Sequence, residues 1–254
     1  MMTSGASPAG VEPGNEAEAA RHIRRMFGRV APRYDLLNRL LSLRIDQYWR
    51  RAVVRRVRPY LERPQARVLD LCCGTGDLLL ALEAERRRLG NAHGRSVIGA
   101  DFCYPMLTSA KAKLGRRNMA ALLLEADALQ FPMAGASVDL ITIAYGFRNL
   151  ANYRKGVEEM YRLLAPGGCL AILEFSRPKN RVLAPLFEFY FRRVLPLIGN
   201  TLSGSGDAYS YLQKSVERFL GPEELAAEMT SCGFQRVEVV PLTAGISFLH
   251  LAYK

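Results

Sequence analysis

The stretch VLDLCCGTGDLLLAL, Val68–Leu82, decides how the rest of the chain is read. An apolar run reaches an acid, Asp70. Two cysteines and Gly-Thr-Gly-Asp follow, and then leucines resume. This order describes a buried strand, a tight bend and a helix. In an open α/β sheet a ligand binds beyond the carboxyl ends of the strands. Asp70, Gly74, Thr75, Gly76 and Asp77 all fall at such an end. Glycine at 74 and 76 lets a ligand approach the backbone closely, although a lone G-x-G is also an ordinary tight turn. The acids argue against a phosphate. The dinucleotide fingerprint is incomplete, because Leu79 stands where its third glycine belongs, and no G-x-x-x-x-G-K-[ST] occurs. Carboxylates flanking the bend suit a cationic ligand instead, such as a sulfonium carrying an amino group.

Outward from this stretch, strands and helices alternate. RVLDL precedes a helix from Asp77 to Leu89, and VIGAD precedes one from Pro105 to Leu114. ALLLEAD, VDLITIAY and CLAILEF supply further strands, with a helix from Tyr153 to Leu164 before the last of them. Alternation of this kind predicts a parallel sheet covered on both faces. The closing QRVEVVPL and GISFLHLAY predict an antiparallel hairpin. Asp101 ends the second strand, where an acid accepts hydrogen bonds from ribose hydroxyls; the alternative is a cap for the next helix. Asp127, with Ala128 beside it, ends the third strand. It is a candidate to read an adenine amino group, or a simple turn residue.

The 254-residue chain is 49% hydrophobic and carries a formal charge of +11. That charge suits an anionic partner or surface. The basic residues lie in scattered runs without interleaved aromatics, so no nucleic-acid partner is expected, and a nucleic-acid-modifying or nucleic-acid-binding role stays open only as the alternative reading of the charge. Five cysteines without a C-x-x-C pair, and three separated histidines, predict no metal site and a reducing compartment. Residues 1–14 read as a disordered tail rather than a signal peptide. Residues 15–64 read as an N-terminal helical lid, with helix starts near Pro32 and Asp46. Residues 65–254 form the α/β domain, interrupted at 181–221 by a helical insertion that holds an aromatic-rich helix from Leu183 to Leu197. No apolar stretch is long enough to span a membrane.

Together these motifs resemble class I S-adenosylmethionine-dependent methyltransferases. LDLCCGTGD is similar to their first motif, GADF to the second, and EADALQFP to the third. LLAPGGCLAILEF resembles the loop and strand that close their core. The resemblance implies a Rossmann-like, seven-stranded, mostly parallel sheet with the last strand antiparallel and helices on both faces. It also implies S-adenosylmethionine as cofactor, held by Asp70, Gly74, Thr75, Gly76, Asp101, Asp127 and Ala128.

A narrower resemblance runs from about Met26 to the C-terminus. FGRVAPRYDLLNRLLSLRIDQYWRR, ITIAYGFRNL, LEFSRP, LPLIGNTLSGSGDAYSYLQKSVERF and TAGISFLH look like the menaquinone/ubiquinone biosynthesis C-methyltransferases. The implied reaction is methylation of a ring carbon of a polyprenylated quinol, demethylmenaquinol or a methoxy-benzoquinol. A ring carbon attacks well only beside an oxyanion. Forming one fully at pH 7 from a phenol of pKa near 10 needs about 4 kcal/mol of stabilisation. Arg148, always protonated, is the candidate to stabilise that oxyanion, and Asn149 to bond the other ring oxygen. Tyr34, Asp207, Tyr209 and Tyr211 are candidates to line the ring pocket, and Tyr34 with Asp35 to form the lid. His250 is a weaker candidate proton acceptor, since a lone strand histidine is usually structural. Because the substrate lives in a bilayer, the lid and insertion helices, with basic flanks, are expected to make transient contact with the membrane surface. The protein is expected to be cytoplasmic and peripheral to the inner face of the cell membrane. A homodimer is compatible with the sequence.

Overall fold

A computed structural model of the chain describes residues 16–31, 34–42, 44–91, 93–178, 183–190, 193 and 207–254. The expected tail, residues 1–14, and the middle of the insertion lie outside them. Three helices come first: α1 (Glu16–Val30), α2 (Tyr34–Leu41) and α3 (Ile45–Leu61). Then β1 (Val68–Leu71), α4 (Asp77–Arg88), β2 (Ile98–Asp101), α5 (Tyr104–Arg116) and β3 (Leu122–Glu125) alternate. They are followed by β4 (Val138–Ala144), a single 3-10 turn (Phe147–Asn149), α6 (Tyr153–Leu163) and β5 (Leu164–Phe175). The insertion contributes α7 (Leu183–Phe189) and α8 (Asp207–Arg218). The chain closes with α9 (Pro222–Ser231), β6 (Arg236–Leu242) and β7 (Ser247–Tyr253).

The seven strands form one sheet in the order β3-β2-β1-β4-β5-β7-β6. β1 pairs in parallel with both β2 and β4, while β7 is antiparallel to β5 and β6. The predicted fold class is therefore found. The chain winds from β1 towards β3 and then returns to the other side of β1. The loops after β1 and β4 part at that reversal and open a crevice at the carboxyl edge.

Alternating side chains of β1 feed two cores. Val68 packs with α3 and α4 through Val53, Val57, Leu61, Leu79 and Leu82. Leu69 and Leu71 pack on the other face with Phe147, Val157 and Met160. Leu79, Leu82 and Leu140 are fully buried, each contributing roughly 1.5–3 kcal/mol. Helix α3 thus covers the sheet. A separate small cluster, Ala31, Cys103 and Met106 with Phe27, Tyr34 and Phe102, seats α1 and α2 at the carboxyl edge.

Two features differ from simple alternation. β3 is an edge strand and leaves Leu122 60% exposed, so its apolar run is not buried on both faces. The APGG run expected as a loop belongs to β5. Its register shifts between Val138↔Leu164 and Leu140↔Cys169, so the extra residues bulge out, with Gly167 at φ +76.

Candidate active site

The carboxyl edge of β1, β2, β3 and β4 opens into a cleft of about 620 Å³, roofed by α1 and α2. That size lies within the roughly 300–1,000 Å³ usual for small-molecule sites. Gly74 lies on its wall in the left-handed region, φ +55, and a Cβ there would meet nothing within 4 Å. The turn therefore presents bare backbone to open space. Asp101 closes the turn: its Oδ2 accepts the Gly74 N–H at 2.8 Å and its Oδ1 the Cys103 N–H at 2.9 Å. Each oxygen keeps a further lone pair for a ligand. Both readings of Asp101 hold in part, since it braces the entry to α5 and also faces the cleft. Burial pushes its carboxyl up to about 6, against the pull of the Cys103 and Gly74 amides.

Asp127 and Ala128 also face the cleft, as does Glu125. The Asp127 carboxylate accepts the Leu129 N–H at 2.8 Å, so the turn reading is realised while the side chain stays on the wall. Glu125 is paired with Arg24, also on the wall, at 2.9 Å, which leaves Asp101 and Asp127 with apolar neighbours such as Leu71 and Ala100 and a bare glycyl backbone to fit a ribose, an aromatic base and a cationic group.

Three candidates for the cofactor lie outside this lining. Asp70 is 1% exposed and accepts the Thr142 hydroxyl at 2.6 Å. Burial pushes its carboxyl up to about 7, and the Thr142 hydroxyl and the Leu79 amide in the first turn of α4 oppose that shift. The acid lies below the turn, outside the cleft lining, and its Oδ2 has no hydrogen-bond partner among the described residues. Thr75, 3% exposed, donates to Asp35 Oδ1 at 2.6 Å. Gly76 begins α4 at φ +82, and a Cβ there would sit 3.1 Å from the Cβ of Ala110.

The second half of the cleft is built by the 3-10 turn after β4. Asn149 is on the wall, and its Oδ1 accepts the Tyr211 hydroxyl of α8 at 3.0 Å. Burial pushes the Tyr211 phenol up to about 12, so it stays a donor near neutrality. Arg148 points behind the wall. It is 4% exposed, pairs with Glu174 at 2.9 Å and donates to the Tyr145 carbonyl at 2.6 Å. Burial works against its charge, but Glu174 together with Tyr34 and Tyr211 outweighs that cost, and the net direction of its pKa is upward. Its Nε has no partner among the described residues.

Tyr34 lines the cleft from α2, and desolvation raises its phenol above the usual value. Asp207 and Tyr209 fall on α8, but their side chains lie outside the described residues. His250 is buried at 2%, and its Nε2 meets the Pro222 carbonyl at 2.9 Å, at the start of α9. It is absent from the cleft wall, and burial lowers its pKa, so its place is structural.

These surroundings find their counterpart in known proteins. The model of the ubiE/COQ5 methyltransferase family matches residues 15–254. The chain belongs to that family. A relative from Thermus thermophilus named demethylmenaquinone methyltransferase is 48% identical over 226 residues, covering 89% of this chain and 98% of the relative. One of the same name from Deinococcus radiodurans is 41% identical, covering 92% and 93%. A relative from Geotalea daltonii named ubiquinone/menaquinone biosynthesis C-methyltransferase UbiE is 39% identical, covering 93% and 98%. Among solved structures, a SAM-dependent methyltransferase from Thermotoga maritima shares the fold with a TM-score of 0.62 and 18% identity, covering 91% of this chain and 99% of that one. One from Aquifex aeolicus gives 0.53 and 20%, covering 76% and 85%. This family member is thus an S-adenosylmethionine-dependent C-methyltransferase.

Sequence reasoning passed over Glu174 and Tyr145. Glu174 had a signal, an acid closing an apolar strand in LEF, the same signal that marked Asp101. Tyr145 had none. Its φ of +60 and its stacking on Phe175, with centroids 4.4 Å apart, arise only where β4 and β5 end side by side.

Proposed function

We propose that this methyltransferase acts on a ring carbon of demethylmenaquinol, a polyprenylated naphthoquinol, to give menaquinol. The observation that carries this reading is the Thermus relative's 48% identity across 98% of its own length, under the name demethylmenaquinone methyltransferase. The UbiE name of the 39% identical relative favours a second reading, in which a polyprenyl methoxy-benzoquinol is accepted too.

When bound, S-adenosylmethionine supplies a methyl group already activated on a sulfonium. In this reading Gly74, Asp101, Asp127 and Ala128 hold it. The residues that must then act on the quinol are Asn149, Arg148 and Tyr34. Asn149 has its Oδ1 engaged by Tyr211, which turns its amide N–H groups towards other acceptors. It donates to one ring oxygen. Arg148, held behind the wall by Glu174, adds its positive charge to the field that favours the oxyanion at the other. Tyr34 keeps its proton and covers the ring from the α2 side. Holding the ring carbon in line with the methyl group supplies much of the acceleration.

Access from a bilayer fits the exposed face of the N-terminal helices. Ile45 and Tyr48, three residues apart on α3, are 37% and 51% exposed, and Leu36 on α2 is 53% exposed. Arg44 and Arg51 are exposed beside them in the chain. No helix among the described residues is long and apolar enough to cross a membrane. Contact is therefore peripheral and transient, on the cytoplasmic side, where anionic lipids favour basic flanks.

The test is direct. Purified protein receives S-adenosylmethionine with demethylmenaquinol, and in parallel with the benzoquinol, and mass spectrometry follows the gain of one methyl group. Methylation of the naphthoquinol is expected. Turnover of neither quinol by a folded, donor-binding protein would overturn the assignment. Co-sedimentation with anionic liposomes that weakens with salt is expected, and its absence would remove the membrane contact.

A further inference from the structure

We propose that Lys113 is a positioning residue that locks the lid helix α2 to the glycine turn, so that the donor and the lid are sensed as one unit. The inference rests on reading the cleft as the site of the methyl donor. Lys113 lies in the last turn of α5, and its side chain is only 11% exposed. Its ammonium donates to Thr75 Oγ1 at 2.9 Å and to Asp77 Oδ1 at 2.6 Å, and it pairs with Asp35 Oδ2 at 2.6 Å. An ammonium has three N–H groups, and here three acceptors take them. Lys113 therefore has nothing left to offer a ligand and serves as a hub.

The acceptors come from different parts of the fold. Asp35 belongs to α2, Thr75 to the glycine turn, and Asp77 to the first turn of α4. Thr75 is doubly held, since its hydroxyl accepts from Lys113 and donates to Asp35 Oδ1 at 2.6 Å. Asp77 extends the network to Arg50 of α3 at 3.4 Å, and Arg50 also pairs with Asp46. Three carboxylates thus surround two cations. Without Lys113, Asp35 and Asp77 would confront each other with much of their balance gone.

The immediate chain neighbours of these anchors line the cleft. Gly74 precedes Thr75, and Tyr34 precedes Asp35; both are on the wall. One ammonium thus sets the spacing between the bare backbone of the turn and the Tyr34 ring. Seating a donor against Gly74 stiffens Thr75, and through Lys113 and Asp35 that ordering reaches α2. Among the described side chains, α2 also meets the body through the edge-on approach of Phe27 to Tyr34 at 6.0 Å. That apolar contact supplies no link to the turn.

Hydrogen exchange over residues 34–41, with and without S-adenosylhomocysteine, tests this on the full-length protein. The variants are Asp35→Asn, nearly isosteric at a partly exposed site, and Lys113→Met. In the wild type the ligand is expected to slow exchange in α2. In both variants that slowing should fall about tenfold, and KM for the donor should rise about tenfold with kcat changed less, the scale of one lost charge-assisted hydrogen bond. The double variant should lose less than the sum of the two single effects, because both remove the Lys113–Asp35 contact. If Lys113→Met fails to fold, Asp35→Asn carries the test. Full ligand-dependent protection in Asp35→Asn, or none in a wild type that binds the ligand, would overturn the coupling. A wild type that takes up no S-adenosylhomocysteine would instead overturn the reading of the cleft.

Discussion

Replacing Asp70 by asparagine should make the protein less sensitive to rising pH. Asp70 is 1% exposed, and burial raises its carboxyl from 3.8 to about 7. Because the folded state holds the proton more tightly than the unfolded state, stability is lost as pH rises. The loss begins near the unfolded pKa and levels off above the folded one. With those two values, ionisation costs about 2–3 kcal/mol more at pH 8 than at pH 5. Asparagine keeps an oxygen to accept from Thr142 and cannot ionise, so it escapes this cost. The difference in Tm, variant minus wild type, should therefore grow by roughly 5–10 °C between pH 5 and pH 8, at about 2–4 °C per kcal/mol for a chain of this size. Taking the difference cancels the other titrating groups, although Asp101 is electrostatically coupled to Asp70 and will blur the midpoint. Differential scanning calorimetry of both proteins in one buffer series measures it. Parallel Tm-against-pH curves would refute the reasoning and place Asp70 in contact with solvent or a firm cation.

Glu174→Leu leaves Arg148 buried without its carboxylate and should cost about 3–5 kcal/mol in urea denaturation; an unchanged midpoint would show that the pair is not holding the turn. Gly76→Ala forces a side chain to φ +82, with its Cβ 3.1 Å from that of Ala110. A loss of about 1–2 kcal/mol in the same assay is expected, and a neutral result would mean that the bend relaxes freely. Tyr211→Phe frees Asn149 from its 3.0 Å partner. It should lower kcat/KM for the quinol about five- to tenfold, with the donor Kd unchanged in calorimetry. A change in donor affinity instead would move Tyr211 to the other half of the cleft.

Much of the site was legible because strand ends announce themselves. Asp101 closes β2, and Asp127 follows β3 two residues beyond its closing Glu125; both reach the cleft. Asp70 stands near the end of β1, yet it lies outside the cleft lining. The rule identifies the edge of the sheet but not which face of the strand a side chain takes. On β1, Asp70 shares the face of Val68, which is covered by α3 and α4. Arg148 and Asn149 are neighbours in the chain, but a 3-10 turn sends one behind the wall and the other onto it. Lys113 was illegible as anything but one cation among many in the last turn of a helix. Its partners lie 36, 38 and 78 positions away in the chain.

Local pattern was enough for the alternating architecture, the glycine bend and the reversed final strand, whereas the acids flanking the bend, Asp70 and Asp77, do not line the cleft. Those three features depend on periodicity or backbone freedom within a few residues. The order of the strands brought four carboxyl ends to one crevice, buried Arg148 against Glu174, and gathered Asp35, Thr75 and Asp77 around the Lys113 ammonium. Those outcomes depend on burial and on distances between segments remote in the chain. The free energy of a charge is set by what surrounds it in space, and neighbours along the sequence do not specify that.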